Sequence, residues 1–416
     1  MKKTGRHSRC CAVRAPHRRA TKAAGDSLIN AGYSQLGTYC AAHRTLINSI
    51  KIKGYRGFAN FSMAGLGRIN LLVGKNNSGK TSILEALLLM AAGHDLAPLW
   101  RILSRRGEQA VPEVSPNRGI QFEVDVSHLF TGHEARIGAE LSVITTNQQP
   151  SRSFKFHIEE AKAAENPALF AQMAQDEPAG SLMALKISGT PNFSLPPIPL
   201  TGRGTLRQDT FQQALQILRA PKNDGGTAQY VTSESMPGAE LYNLWNSIVL
   251  TPDEDRIVAA LKFLEPKIER IAAVASPYVF AGGATRGGFV VRMEGSDKRI
   301  PIGSFGDGMW RILALATAIS RAKDSLLLVD EIDTGLHHTV MADMWRLIDS
   351  ASRAFNVQVF ATTHSNDCVE SLASICNSKN DHSEITIQRI EASKSTAIPF
   401  SESEIKVSAE RGIEIR

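Results

Sequence analysis

Hydrophobic and polar positions change rhythm along the chain, and each rhythm predicts a different kind of element. Ile50-Lys51-Ile52-Lys53 alternates, Gly54-Tyr55-Arg56-Gly57-Phe58 breaks the alternation, and Arg68-Ile69-Asn70-Leu71-Leu72-Val73 returns to an apolar run. These stretches predict strands separated by turns, the last feeding a glycine-rich segment and a helix over Ile83 to Ala92. In the middle, Phe122, Val124 and Val126, then Ile137, Ala139, Leu141 and Val143, then Phe154, Phe156 and Ile158 alternate as half-buried antiparallel strands do. Residues 161 to 236 are rich in Gly, Pro, Ala and Gln and carry no readable period.

Thr251-Pro252-Asp253-Glu254 predicts a helix start, with Thr251 as N-cap, Pro252 at the first position and Glu254 closing a capping box. Ile257, Leu261, Leu264, Ile268 and Ile271 follow at helical spacing, as one packing face. From about Ile300 the pattern predicts a buried helix over Met309 to Ala322, a strand over Leu326 to Val329, a helix over Val340 to Ala354 and a strand over Val357 to Ala361. Strands alternating with helices imply a largely parallel sheet flanked by helices. No internal repeat is visible, and without a sustained heptad run there are no long coiled-coil arms.

Composition adds limits. At 416 residues and 43% hydrophobic, the chain should be globular with two or three domains. The net charge of +6 is uneven: residues 1 to 50 hold nine Lys or Arg against Asp26 alone, which leaves the rest at −2. Residues 1 to 45 form a basic tail that lacks hydrophobic periodicity and is expected to be disordered. It reads as a basic arm for nucleic acid or acidic surfaces, as an Arg-rich targeting peptide, or as upstream sequence from a misplaced start. The last is favoured, because patterning begins abruptly at Leu46. No run of eighteen apolar residues predicts a membrane span. Cys10, Cys11, Cys40, Cys368 and Cys376 lack metal spacing, which points to a reduced cytoplasmic protein without disulfides or a zinc site.

Gly74-Lys75-Asn76-Asn77-Ser78-Gly79-Lys80-Thr81, followed by Ser82, fits the full phosphate-loop pattern. Gly74 and Gly79 permit a tight loop whose amides turn toward phosphates, and the next helix directs its positive end at the same charge. Lys80 should bridge the outer phosphates and the Thr81 hydroxyl should reach magnesium. By average composition the full pattern arises by chance in about one chain in a hundred of this length. Leu326-Leu327-Leu328-Val329 ends in Asp330 and Glu331, placing two carboxylates in the crevice where open α/β sheets bind ligands. One acid suits magnesium coordination and the other can polarise an attacking water. Alone, such a run could equally be a strand meeting solvent. Gly303-Ser304-Phe305-Gly306-Asp307-Gly308 at a helix start is a second anion-binding end, or else a plain capping turn. Ala361-Thr362-Thr363-His364-Ser365 carries a histidine that could donate to a terminal phosphate, or be only a polar strand end.

Together these elements resemble the ABC-type ATPase heads of the SMC, RecF and OLD-nuclease group, and more closely the bacterial stand-alone ATPases of the AAA-15 and AAA-21 type. The tokens are Gly54-Tyr55-Arg56-Gly57-Phe58, the phosphate loop through Ser82, Gly306-Asp307-Gly308, Asp330-Glu331-Ile332-Asp333-Thr334-Gly335-Leu336-His337 and Ala361 to Ser365. The resemblance covers 46 to 95 and about 300 to 375 well. It implies an α/β P-loop NTPase with an ABC-type head split between 46–95 and 300–416, a mixed sheet flanked by helices, and an inserted α+β lobe over 96–299.

The resemblance further implies a homodimer, or higher oligomer, holding two ATP between subunits. Lys80 and Thr81 would bind phosphate and Mg2+, Asp330 would support the metal, and Glu331 would be the general base. Gly306 and the helix start at Met309 would cap the γ-phosphate in trans, with Ser304, Asp307 and Gly308 also cofactor-binding, Asp333 would line the dimer seam, and His364 would be the switch histidine. The chain departs from the transporter-type signature, whose serine falls on Phe305 and leaves Ser304 as substitute. Gln121 is a weak candidate for the glutamine loop. About fifty residues follow His364, too few for the Toprim nuclease domain of OLD enzymes. Any nuclease activity would come from a partner.

The function implied is an ATP-hydrolysing switch that controls an effector, such as a Toprim-type nuclease encoded nearby in antiphage defence. A RecF-like DNA-binding ATPase is the alternative. The −2 charge of the body argues against broad nucleic-acid contact, while Arg101, Arg105 and Arg106 form a local basic patch. The nucleotide-binding subunit of a transporter is a third reading, opposed by the altered signature and the long lobe.

Overall fold

A computed structural model describes residues 46–110, 113–115, 119–146, 151–161, 169–170, 183–190, 193–217, 228–274, 288–376 and 384–415. The basic tail, with Cys10, Cys11 and Cys40, lies outside the described residues. An antiparallel sheet is formed by β1 (Ser49–Tyr55), β2 (Phe58–Ala64), β4 (Glu140–Thr146), β5 (Arg152–Glu160) and β6 (Met183–Gly189), in the order β6-β5-β4-β1-β2. The second large sheet contains β3 (Ile69–Val73), β7 (Gln229–Val231), β8 (Leu326–Val329), β9 (Gln358–Thr362), β10 (Ile385–Arg389) and β11 (Ile398–Phe400). Its order is β7-β8-β9-β3-β10-β11, parallel throughout except for β11.

The parallel sheet is covered on both faces, which is why β3, β8 and β9 are buried along their whole length. Ile69, Leu71, Val73, Leu327, Val329, Val359 and Ala361 point into one core. That core is closed by α3 (Gly238–Asn246), α4 (Pro252–Leu261), α5 (Asp307–Arg321), α6 (His338–Ala354) and α7 (Asn366–Ala373). Leu72, Leu328 and Phe360 point into the other core, shared with α1 (Lys80–Ala92) and the antiparallel sheet. Helix α1 touches β8 and β9 on one side and β4 and β5 on the other. A helix between two sheets needs no polar face, which accounts for the continuous Ile83-Leu84-Glu85-Ala86-Leu87-Leu88-Leu89. Two buried amides hold the strand starts together. Asn70 bonds Gly67 and Val359 through its Nδ2 and accepts from Thr386, while Gln358 Nε2 donates to Ile47 and Gly67 carbonyls.

Sheet membership crosses the 95/96 and 299/300 boundaries drawn from the sequence. The β1-β2 hairpin pairs with β4, and β7, from the middle of the chain, pairs with β8. Several expected elements differ in the structure. Phe122 and Ile137 are exposed, and β4 starts only at Glu140. Helix α4 stops at Leu261; Leu264 lies in the turn beyond it, and Ile268 and Ile271 belong to the strand Ile268–Ala273. Pro266 disfavours helical backbone at Glu265 and ends the helix. A register shift between Ile268 and Arg270 lets both isoleucines, three residues apart, be buried. The capping box at Thr251 is only half made: its hydroxyl accepts from Asp253 N–H, but Glu254 reaches the N–H of Leu250 instead.

Candidate functional site

The C-terminal ends of β3, β9 and β8, three neighbouring strands, deliver the phosphate loop, the Thr362–His364 segment and the two acids to one edge of the sheet. Gly74 leaves β3 at φ 141° and Gly79 enters α1 at φ 94°. A Cβ at Gly74 would run into the Ile390 carbonyl, and one at Gly79 into the Phe58 ring, so both close approaches require glycine. Lys75, Asn76 and Asn77 form the exposed rim of the loop, while Ser78, Lys80 and Ser82 are buried. Gly79 offers no side-chain cap to α1, so the first-turn amides are left for a ligand.

Lys80 Nζ donates to the carbonyls of Gly74 and Lys75, each at 2.8 Å, folding its charge back into the loop. Burial pushes this ammonium down to about 8, against the pull of Asp330 and Glu331. The buried Ser78 hydroxyl has no hydrogen-bond partner. An oxyanion in the loop would satisfy Ser78 and compensate Lys80 together, so the cradle fits a phosphate. Thr81 Oγ1 lies 3.1 Å from Asp330 Oδ1, and Thr362 Oγ1 donates to the same oxygen at 2.8 Å. Hydroxyl and carboxylate oxygens side by side suit a hard divalent cation such as Mg2+, for which Thr81 and Asp330 are the available ligands.

Glu331 occupies the left-handed region at φ 47°, rare for a residue with a side chain. Three bonds fix that bend. Its N–H donates to Thr362 Oγ1 at 2.8 Å, its carbonyl accepts from Arg311 Nη2 at 2.8 Å, and Ile332 N–H donates to Thr362 O at 2.9 Å. The bend turns the Glu331 carboxylate out to solvent, 3.8 Å from His364 Nε2. Asp333 accepts from Thr363 Oγ1 at 2.6 Å. Arg311, on α5, also donates to Asp330 O at 2.9 Å and Thr232 O at 2.6 Å, tying the ends of β7 and β8 to the helix. Its burial pushes the guanidinium down to about 10 while Asp333, Asp330 and Glu331 pull it back up.

The glycine turn stands apart from this cluster. Ser304, Gly306 and Asp307 are exposed at the start of α5, with Gly306 at φ 85°. Gly308 packs against the Gly335 carbonyl, where a Cβ would come within 3.2 Å, so the turn is seated on the segment after Asp333. Gln121 ends the short strand Gly119–Gln121, and its side chain is outside the described residues. Residue types alone did not reveal Thr362 or Arg311 as parts of the site. Nor did they reveal that Arg101, Arg105 and Arg106 are each paired, with Glu240 at 3.6 Å, Asp330 at 3.6 Å and Glu85 at 2.8 Å. Among the described residues no cluster of three or more His, Cys, Asp or Glu could hold a metal ion, and no helix is long and apolar enough to cross a membrane. Cys368 and Cys376 are buried free thiols, and burial pushes both up, Cys376 to about 12.

A phosphate loop and an acidic strand end separated by one strand, with a polar hydroxyl between them, define a P-loop ATPase. Residues 46–169 match the family model described as an AAA ATPase domain, and residues 202–369 match that of an AAA domain, putative AbiEii toxin, type IV TA system. The two models match different parts of the chain and both describe AAA-type domains, which supports an ATP-hydrolysing enzyme. It is 22% identical to a Helicobacter pylori protein named ATP/GTP phosphatase, over 80% of this chain and 90% of that one. An uncharacterized Methanocaldococcus jannaschii protein, MJECL10, is 33% identical over 20% of this chain and 42% of its own length. Among solved structures, an SMC head bound to the C-terminal winged helix of ScpA is similar at TM-score 0.42 and 15% identity, covering 85% and 97% of the two chains. A Pyrococcus furiosus Smc head bound to the ScpA C-terminal domain is similar at TM-score 0.43 and 12% identity, covering 88% and 99%.

Proposed function

We propose that this ATPase is a nucleotide-driven switch, in which two copies close on bound ATP and thereby control a separate effector protein. The observation that carries the chemistry is the linkage of Thr81, Asp330, Thr362 and Glu331 by hydrogen bonds at one sheet edge, with Lys80 in the adjoining phosphate loop. Lys80 would turn from the loop carbonyls to bound phosphates, and Thr81 and Asp330 would hold Mg2+, which would supply charge stabilisation at the transferring group. Glu331 takes the proton of the attacking water, and His364, 3.8 Å from it, holds the terminal phosphate.

Ser304, Gly306 and Asp307 are exposed and Gly308 is seated against Gly335, which suits a turn that caps nucleotide on a second subunit. The relative named ATP/GTP phosphatase makes GTP a second substrate to test. The description as a putative AbiEii toxin of a type IV toxin–antitoxin system supports a role in defence, and the effector we propose is a nuclease. The alternative of a DNA-binding ATPase is weakened, because the arginine patch proposed for it is spent on Glu240, Asp330 and Glu85. ATPase activity that rises with added DNA in a salt-dependent way would restore it.

Glu331→Gln tests the assignment. The variant is expected to bind ATP like the parent, to turn over about a hundredfold or more slowly, and to accumulate as a dimer by light scattering with Mg2+ and ATP. Turnover at the parent rate removes Glu331 as the base. A strictly monomeric variant at saturating nucleotide removes the switch.

A further inference from the structure

The charge of Asp330 is already matched inside the subunit. Lys80 and Arg311 feel this charge without pairing with the carboxylate, since the Lys80 ammonium donates to the Gly74 and Lys75 carbonyls and Arg311 to backbone carbonyls. The partner is Arg105, the last residue of α2 (Ala97–Arg105), whose Nη2 lies 3.6 Å from Asp330 Oδ2. Asp330 is nearly buried at 8% side-chain exposure, whereas Arg105 is 33% exposed. The other carboxylate oxygen is held by Thr81 and Thr362. A cation entering between Thr81 and Asp330 therefore meets a carboxylate that a guanidinium already serves, and two positive charges on one carboxylate repel.

We infer that Arg105 is a resident counter-ion of Asp330 that a divalent cation must displace, so that the end of α2 gates metal entry to the site. This rests on the reading of Thr81 and Asp330 as the metal pair. The arginine has a place to stay once displaced: its guanidinium lies over the Tyr230 ring, 5.3 Å from the centroid, and its long stem reaches solvent. Without a cation bound, Arg105 would spare Asp330 the cost of an uncompensated buried charge. Metal arrival would therefore exchange one counter-ion for another and release α2 from the strand end. Arg105 is on this account a positioning residue, acting through Asp330.

The test is a magnesium titration read by binding rather than turnover. Isothermal titration with a non-hydrolysable ATP analogue at stepped Mg2+ gives the half-saturating metal concentration, and Mn2+ binding by electron paramagnetic resonance gives the metal site directly. For Arg105→Ala the half-saturating Mg2+ is expected to fall about two- to fivefold, the range for a partly exposed ion pair, with Mn2+ binding tightened in the same proportion. Arg105→Lys, with a shorter and non-bidentate head, should shift both in the same direction by less, and it serves alone should the alanine variant not fold. An unchanged or increased metal requirement with nucleotide still bound overturns the counter-ion role while leaving the nucleotide site standing. Weaker nucleotide binding with an unchanged metal titration overturns it too, making Arg105 a phosphate contact instead. Failure of the parent itself to bind nucleotide at any Mg2+ overturns the site, and the inference with it.

Discussion

One hydroxyl, that of Thr362, ties the two acids to each other. It donates to Asp330 Oδ1 and accepts the N–H of Glu331, so the supposed metal ligand and the supposed base are aligned by a single side chain. A β-branched residue on a strand has few rotamers to lose, which makes threonine a stiff post for this purpose. Thr362→Val keeps the shape and removes both bonds, leaving the part-buried Glu331 N–H and the buried Asp330 carboxylate each short of a partner. Stability in urea is expected to fall by about 1–3 kcal/mol, and kcat by about tenfold or more, with nucleotide affinity changed less. Thr362→Ser restores the hydroxyl and should recover most of kcat. Equal kcat values for the valine and serine variants would show that the hydroxyl does not align the base.

Helix α5 does two jobs at its first turns: it presents the exposed glycine turn, and one turn later it inserts Arg311 beneath the acids. Arg311 is 2% exposed, and its guanidinium serves three carbonyls at the ends of β7 and β8. Arg311→Met should cost about 3 kcal/mol or more, since it leaves several buried carbonyls without donors, read as a lower urea midpoint. Arg311→Lys recovers only part of it, because an ammonium cannot reproduce the planar fork.

The elements legible in the sequence are those whose residues declare themselves locally. Leu326 to Val329, buried throughout, reads as a covered strand, and the loop glycines read as a phosphate cradle because no other residue fits Gly74 or Gly79. Strand β7 was not legible: three residues, Gln229-Tyr230-Val231, carry too little pattern to show a period. Thr362 and Arg311 were missed for another reason. Their importance comes from partners brought close by the sheet, Asp330 being 32 residues from Thr362 in sequence and 19 from Arg311. No local window contains that information.

At the scale of the whole molecule, the nucleotide machinery is split between the two cores on either face of the parallel sheet. The phosphate loop faces the antiparallel sheet through α1, and the acids and glycine turn belong to the core packed under α5. Buried ion pairs fix α1 to the hairpin: Glu85 lies 3.2 Å from Arg56 and 2.8 Å from Arg106, so a shift of the phosphate loop is felt by β1 and by the end of α2. If each subunit supplied both halves of its own pocket, ATP would protect the loop and the glycine turn together at any protein concentration. The trans arrangement predicts otherwise, since the turn around Gly306 rests on Gly335 and its outer face is open. Hydrogen exchange on Glu331→Gln with ATP and Mg2+ should slow at residues 74–82 at every concentration. At residues 303–308 it should slow only where light scattering reports the dimer. Protection of 303–308 in the monomer would mean that the turn caps its own subunit's nucleotide, and the proposed exchange of pockets between copies would fall.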